Sequence, residues 1–139
     1  FKEGVKRMKY SPQQELYDQI YIASEDLGFN TYDHLPMQTE NAEYPFVIVG
    51  ENQLIPLNLK TAIGGQLNQT IHVWGDEDMR FTVADILNQL AQLGYQTIQT
   101  EHFRFVGRIG RQDCQIMQDT SVPNTVLNHG ILTLVFNLK

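Results

Sequence analysis

Apolar residues recur along this chain in two rhythms, and the change between them is sharpest near residue 75. Leu67, Ile71 and Val73 fall on one side of a period-2 pattern and Asn68, Thr70 and His72 on the other, as a strand with one solvated face requires. That strand closes with Trp74 and Gly75. From Val83 the spacing lengthens, and Val83, Ile86, Leu87, Leu90 and Leu93 follow the i, i+3, i+4, i+7, i+10 rule of an apolar helix stripe, with Gly94 as the expected stop. The same rule predicts a first helix. Ser11 is its N-cap, Pro12 takes the first position, Leu16, Ile20, Ala23 and Leu27 share one side, Tyr17 and Tyr21 flank them, and Gly28 ends it.

The remaining segments read mainly as sheet. Residues 29–36 suggest a short strand and residues 39–44 a polar connector. The run Pro45–Gly50 is apolar on both faces, which marks a central strand or one covered by a neighbouring subunit. Between Glu51 and Gly65, Leu54, Ile55, Leu57, Leu59 and Ile63 occur without a clean period among the breakers Pro56, Gly64 and Gly65, so the segment reads as an apolar loop. Such a loop either covers the core or meets a partner. Phe103 and Phe105 alternate with His102 and Arg104, a hairpin is expected from Gly107 to Gly110, and Cys114, Ile116 and Gln118 begin a weaker return strand. Asp119 to His129 is a long polar connector. In the last strand Leu132, Leu134, Phe136 and Leu138 share a face that should close the core.

Composition narrows the functional classes. A chain of 139 residues is long enough for one core without metals or disulfides, and the single cysteine, Cys114, forms no intrachain bridge. In an apparent strand with no Cys-x-x-Cys partner, Cys114 reads as a buried, inert thiol. No run approaches the length of a membrane helix, no signal segment opens the chain, and assembly in a reducing cytoplasm is expected. Met8 is a candidate start, with residues 1–7 an upstream extension and residues 1–10 as a whole an N-terminal extension of one domain spanning 1–139. The net charge of −6, from sixteen acidic and ten basic residues, argues against attraction to a free polyanion. Arg104, Arg108 and Arg111 form a local exception around Gly107 and Gly110: a solvated loop, or a contact with an acidic neighbour or with DNA passing through a ring.

The chemistry of sites is sparse. His34, His72, His102 and His129 are scattered, and none has a second His or Cys at zinc-site spacing. The acidic turn Asp76, Glu77, Asp78 is ordinary before a helix, where unpaired N–H groups and the dipole favour negative charge. A metal-dependent hydrolase built on His72, Asp76 and Asp78 is therefore the weakest of three readings. The glycine pairs lack a phosphate-loop pattern, and Ser11, Ser24 and Ser121 sit in no nucleophile elbow. No catalytic, cofactor-binding or metal residue is assigned.

Taken in order, the strand Pro45–Gly50, a polar loop-rich stretch, a second strand ending at Trp74 with a short acidic turn, and the helix from Phe81 to Leu93 resemble the tail terminator proteins of long-tailed bacteriophages, also called tail completion or tail-to-head joining proteins. The similarity runs from near Pro12 to near Leu138, and its motifs are degenerate, made of packing residues. It implies an α+β subunit with a mostly antiparallel sheet of about four to six strands and two helices packed on one face. It further implies a structural, non-enzymatic virion protein without a cofactor, which caps the tail tube as a hexameric ring and joins tail to head. The partners so implied are other copies of the chain, the major tail tube protein and a head completion or connector protein, with no specific nucleic acid sequence and no membrane. Its place would be the virion tail, after assembly in the host cytoplasm. Under this resemblance Leu54, Ile55, Leu57, Leu59 and Ile63 are the candidate subunit interface, and Arg104, Arg108 and Arg111 the candidate partner or lumen contact. Another head–tail connector, adaptor or minor tail subunit is the second reading.

Overall fold

The computed structural model describes residues 10–37, 42–58 and 63–139, and of residues 57, 58 and 63 only the backbone. In chain order the elements are α1 (Pro12–Asp26), β1 (Thr31–Tyr32), β2 (Phe46–Asn58), β3 (Ile63–Gly75), α2 (Arg80–Ala91), a 3-10 turn (Gln92–Tyr95), β4 (Thr97–Gln99), β5 (Arg104–Gly107), a second 3-10 turn (Ile109–Arg111), β6 (Asp113–Asp119) and β7 (Leu127–Leu138). The fold is α+β. Among the described residues seven strands form one sheet in the order β1-β2-β3-β7-β5-β4, with β6 also on β7. The β1–β2 pairing is parallel, and β2–β3, β3–β7, β4–β5, β5–β7 and β6–β7 are antiparallel.

Helix α1 starts as its sequence dictates. The Ser11 hydroxyl accepts from the Gln14 N–H at 3.1 Å, and Pro12 occupies the first turn, where its missing N–H costs nothing. Gly28, at φ 94°, takes the left-handed conformation just beyond the end. The buried side is Leu16, Ile20 and Ser24, while Leu27 is 44% exposed, so the expected stripe is corrected at its last turn. The helix stops at Asp26, and Ser24 continues the i, i+4 row with its hydroxyl 2.8 Å from that of Thr31.

Helix α2 buries Val83, Ile86, Leu87 and Leu90, as the spacing predicts. Gly94 does not stop it: the α-helix ends at Ala91 and the chain tightens into a 3-10 turn in which Gly94 is buried. These side chains join Leu16 and Ile20 in one core with Val47, Val49, Leu67, Ile71, Val73, Phe105, Leu132, Leu134 and Phe136. The strand residues pair across the sheet as Val47↔Val73, Val49↔Ile71, Ile71↔Leu132 and Leu67↔Phe136, which places them on one face by register. Gly130 lets α2 approach closely, since a Cβ there would lie 2.4 Å from Leu87 Cδ1.

The stretch from Glu51 to Gly65, expected as a loop, is strand wherever it is described. Leu54 pairs with Leu67, Ile55 with Gln66, Pro56 with Gly65, Leu57 with Gly64 and Asn58 with Ile63. Its period is hidden by a bulge between Val49 and Asn52, which inverts the in–out alternation in the middle of the strand. Gln69, fully buried, holds the bulge together. Its Nε2 donates to the carbonyls of Gly50, Glu51 and Thr70 at 3.1, 3.2 and 3.0 Å, and its Oε1 accepts from Asn52 Nδ2 at 2.8 Å.

The hairpin expected from Gly107 to Gly110 is also revised. Strands β5 and β6 do not pair with each other; both lie along β7, with a slip in register between Gly107↔Phe136 and Asp113↔Thr133. Gln112 fills the interruption. Its Oε1 accepts from the Val135 N–H at 3.0 Å and its Nε2 donates to the carbonyls of Gly94, Arg108 and Val135, so a side-chain amide completes the ladder in place of a peptide.

Candidate interaction surfaces

Three surface features emerge from this frame. The first is the far end of the β2–β3 pair. Leu57↔Gly64 and Asn58↔Ile63 run past Leu138↔Gly65, the last pairing of β3 with β7. Of the candidate interface residues, Leu54 is half-buried against the core and Ile55 is 40% exposed. Leu57 and Ile63 are placed by backbone only, and Leu59 lies outside the described residues.

The second feature is the turn between β5 and β6, where the arginines sit. Arg104 opens β5 and is exposed, Arg111 is exposed in the 3-10 turn, and Arg108 is half-buried with Nη1 3.5 Å from Asn137 Oδ1. Among the described residues none of the three meets a carboxylate; the ion pairs there are all made by histidines. Arg104 and the chain end are neighbours, since the Lys139 N–H donates to the Arg104 carbonyl at 2.9 Å.

A groove of about 430 Å³ forms the third feature, at the other end of the strands, where β2 and β7 begin and β3 and β6 end. Phe46, Trp74 and Leu127 line it together with Leu35, Tyr44 and Val122 from the adjoining loops. Among the described residues Asp119 is the carboxylate of its lining, held below the usual range by hydrogen bonds from the Ser121 hydroxyl and N–H. Beside it Trp74 stacks on His129 with centroids 3.8 Å apart.

His129 leads into a polar row that spacing did not reveal. His129 Nε2 lies 2.9 Å from His72 Nδ1, and His72 Nε2 lies 3.0 Å from Glu51 Oε1. The two histidines are brought together by the β3–β7 register, which pairs Trp74 with His129 and His72 with Ile131. Burial pushes His129 below the ordinary histidine value and His72 adds to that, against the pull of Asp119. The Glu51 carboxyl is held low by its own backbone N–H and then by His72. The row does not extend to the acidic turn. Asp76 Oδ1 instead accepts from the Asp78 N–H at 3.0 Å, and the Asp76 carbonyl accepts from Asn128 Nδ2 at 2.7 Å. Among the described residues no three His, Cys, Asp or Glu side chains form a metal-binding group.

The other sites expected from sequence lie apart. His34 is beside Asp33 at 2.6 Å, and His102 bonds Glu15 at 2.7 Å with Tyr10 stacked on its ring at 3.4 Å. Cys114, expected to be buried, is exposed on β6, because that strand covers β7 on one edge only. Partial desolvation, and then Asp113, raise its thiol above the ordinary value, which keeps it a poor nucleophile.

Comparison with known proteins bears on these surfaces. The chain is 29% identical over 97 residues to the tail completion protein gp17 of Bacillus phage SPP1, which covers 69% of each chain. That similarity supports the resemblance to the phage tail completion, or tail terminator, proteins. No protein-family profile matches the chain. Its fold is shared with a chain from the virion of a native gene transfer agent particle, at 17% identity and a TM-score of 0.61, over 92% of this chain and 94% of that one. In a structural protein of the phage tail, work is done by surfaces. Sequence reading singled out the arginines of the second feature and the apolar residues of the first as candidates. It missed the groove, whose lining comes from loops and strand ends far apart in the chain.

Proposed function

We propose that this chain is a one-domain subunit of a closed ring that caps the tail tube and joins the tail to the head. The observation that carries the reading is the similarity to a tail completion protein over 69% of each chain. The fold likeness to a virion-particle chain over 92% of the chain agrees with it. The surfaces are of the kind a ring needs. A cyclic ring uses two different patches on each subunit, and the β2–β3 tip and the β5–β6 turn are separate features that offer apolar and charged contacts. The natural partners are other copies of the chain, the tube protein below and a head connector above, and no bond is made or broken.

The test is native mass measurement and electron microscopy of the purified chain, alone and with tail tubes. A closed ring, hexameric by analogy with the family, and its location at the tube end are the expected results. Ile55→Asp with Leu57→Asp should abolish the ring and leave the circular dichroism unchanged, because an unpaired carboxylate buried at an interface costs several kcal/mol. Rings that persist in that double variant would remove the tip from the interface. A wild type that stays monomeric on tubes, or binds elsewhere on the particle, would favour the second reading, a different connector or minor tail subunit.

A further inference from the structure

We propose that the 3-10 turn Ile109–Arg111 of one copy seats in the Trp74 groove of a second copy, as one contact of the ring. The proposal rests on the ring reading. The turn is shaped for docking: Ile109 is 63% exposed, flanked by Arg108 and Arg111, and a Cβ at Gly110 would meet nothing within 4 Å. It is also held in place before any partner arrives. The Arg108 N–H donates to the Val135 carbonyl at 2.8 Å, the Arg111 N–H to the Arg108 carbonyl at 2.9 Å, and Gln112 ties the turn to β7. A preordered apolar side chain between two cations loses little entropy on binding.

The groove is the complement. Its walls carry exposed Leu35, Tyr44 and Val122 over Phe46 and Trp74, and its lining carboxylate among the described residues is Asp119. In the chain Glu43 stands between the lining residues Ala42 and Tyr44, Asp33 two residues before Leu35, and Asp76 two residues after Trp74. The chain's net charge of −6 sets copies to repel one another, so an arginine-bearing turn facing a carboxylate-edged groove is the arrangement in which approach is favoured and oriented. The arginine stems can cover apolar wall while their heads reach the rim.

The occupant is a second copy, because the turn cannot reach its own groove. The turn is bonded to Val135 and the groove is lined by Leu127, eight residues away along one extended strand (135 minus 127), or roughly 26 Å. Since turn and groove are different patches, each contact leaves one of each free. Such a contact propagates until the ring closes.

The experiment mixes two single-cysteine proteins, both carrying Cys114→Ser: one with Ile109→Cys, the other with Val122→Cys. Mild oxidation is followed by mass analysis of the mixed dimer, beside native mass measurement of wild type. The control pairs Val122→Cys with Phe81→Cys, a position that is 83% exposed on α2. The 109–122 dimer should exceed the control several-fold. Arg111→Glu on the first protein should reduce it, and Asp119→Arg on the second should restore it. A 109–122 yield equal to the control, with rings present in wild type, overturns this contact and leaves the ring standing. A yield above control without any ring keeps the contact and removes the ring. Neither a ring nor a yield above control removes both.

Discussion

Two glutamines carry tasks that a polar residue in a strand seldom has. Gln69 and Gln112 each place a primary amide where the sheet ladder is broken, at the β2 bulge and at the β5–β6 interruption. A carboxamide can donate and accept at once, so it stands in for a peptide group. Gln69 is fully buried and its Nε2 serves three carbonyls. Replacing it by Leu keeps the volume but strands those acceptors, at a cost of about 1–3 kcal/mol for each that water cannot reach. Gln69→Leu should therefore lower the stability measured by urea denaturation by at least that amount. A change within about 0.5 kcal/mol, the usual scale of surface substitutions, would mean that the bulge does not depend on this amide. Asn52 Oδ1 and Asn128 Oδ1 are buried without a partner among the described residues, and nothing in the structure explains them.

Among the elements, α2 and β7 were the most legible, and their contact shows why. Each carries one strong period, and each period points to a single face: Val83, Ile86, Leu87 and Leu90 on the helix, Leu132, Leu134 and Phe136 on the strand. Leu87→Ala and Leu90→Ala should each destabilise by about 2–5 kcal/mol, since both are buried and leave cavities. Asn88→Ala and Gln92→Ala, both exposed, should be near neutral. Equal losses for the leucines and the polar pair in denaturant titration would show the helix phase to be wrong. Strands β2 and β6 were less legible for opposite reasons. A bulge broke the alternation of β2, and β6 is largely exposed, so its sequence carries no strong apolar face.

At the scale of the molecule, the titrating groups with resolved shifts agree in direction on the acid side. Glu15, Asp33, Glu51 and Asp119 are all lowered. Burial works against ionisation of Glu15, but hydrogen bonds from Thr100 and His102 prevail; at Asp33 the neighbouring His34 dominates. A carboxylate lowered by folding adds stability above its unfolded value that is lost as pH falls through the folded one. His129 is lowered as well, chiefly by burial, so the unfolded chain takes up its proton first. Its contribution is complete above the ordinary histidine value of about 6.5 and is lost as pH falls from there toward the folded value. Stability should thus decline in two stages on acidification, the first below about pH 6.5 and the second in the carboxylate range. His129→Gln should flatten the first stage in thermal melts taken across this range. An unchanged profile in the variant would show that His129 is not its source.

The sequence by itself determined what is local: the caps of α1, the stripe of α2, the alternating faces of β3 and β7, and the resemblance built on them. These follow from periodicities of 3.6 and 2, which need only near neighbours to be read. Tertiary structure decided what joins distant positions. Register across β3 and β7 set His72 against His129, 57 residues apart in the chain, and brought Phe46, Trp74, Asp119 and Leu127 to one groove. It also turned residues 51–58 from an apparent loop into strand, because a buried side chain, Gln69, satisfied a bulge that local pattern registers only as disorder in the alternation.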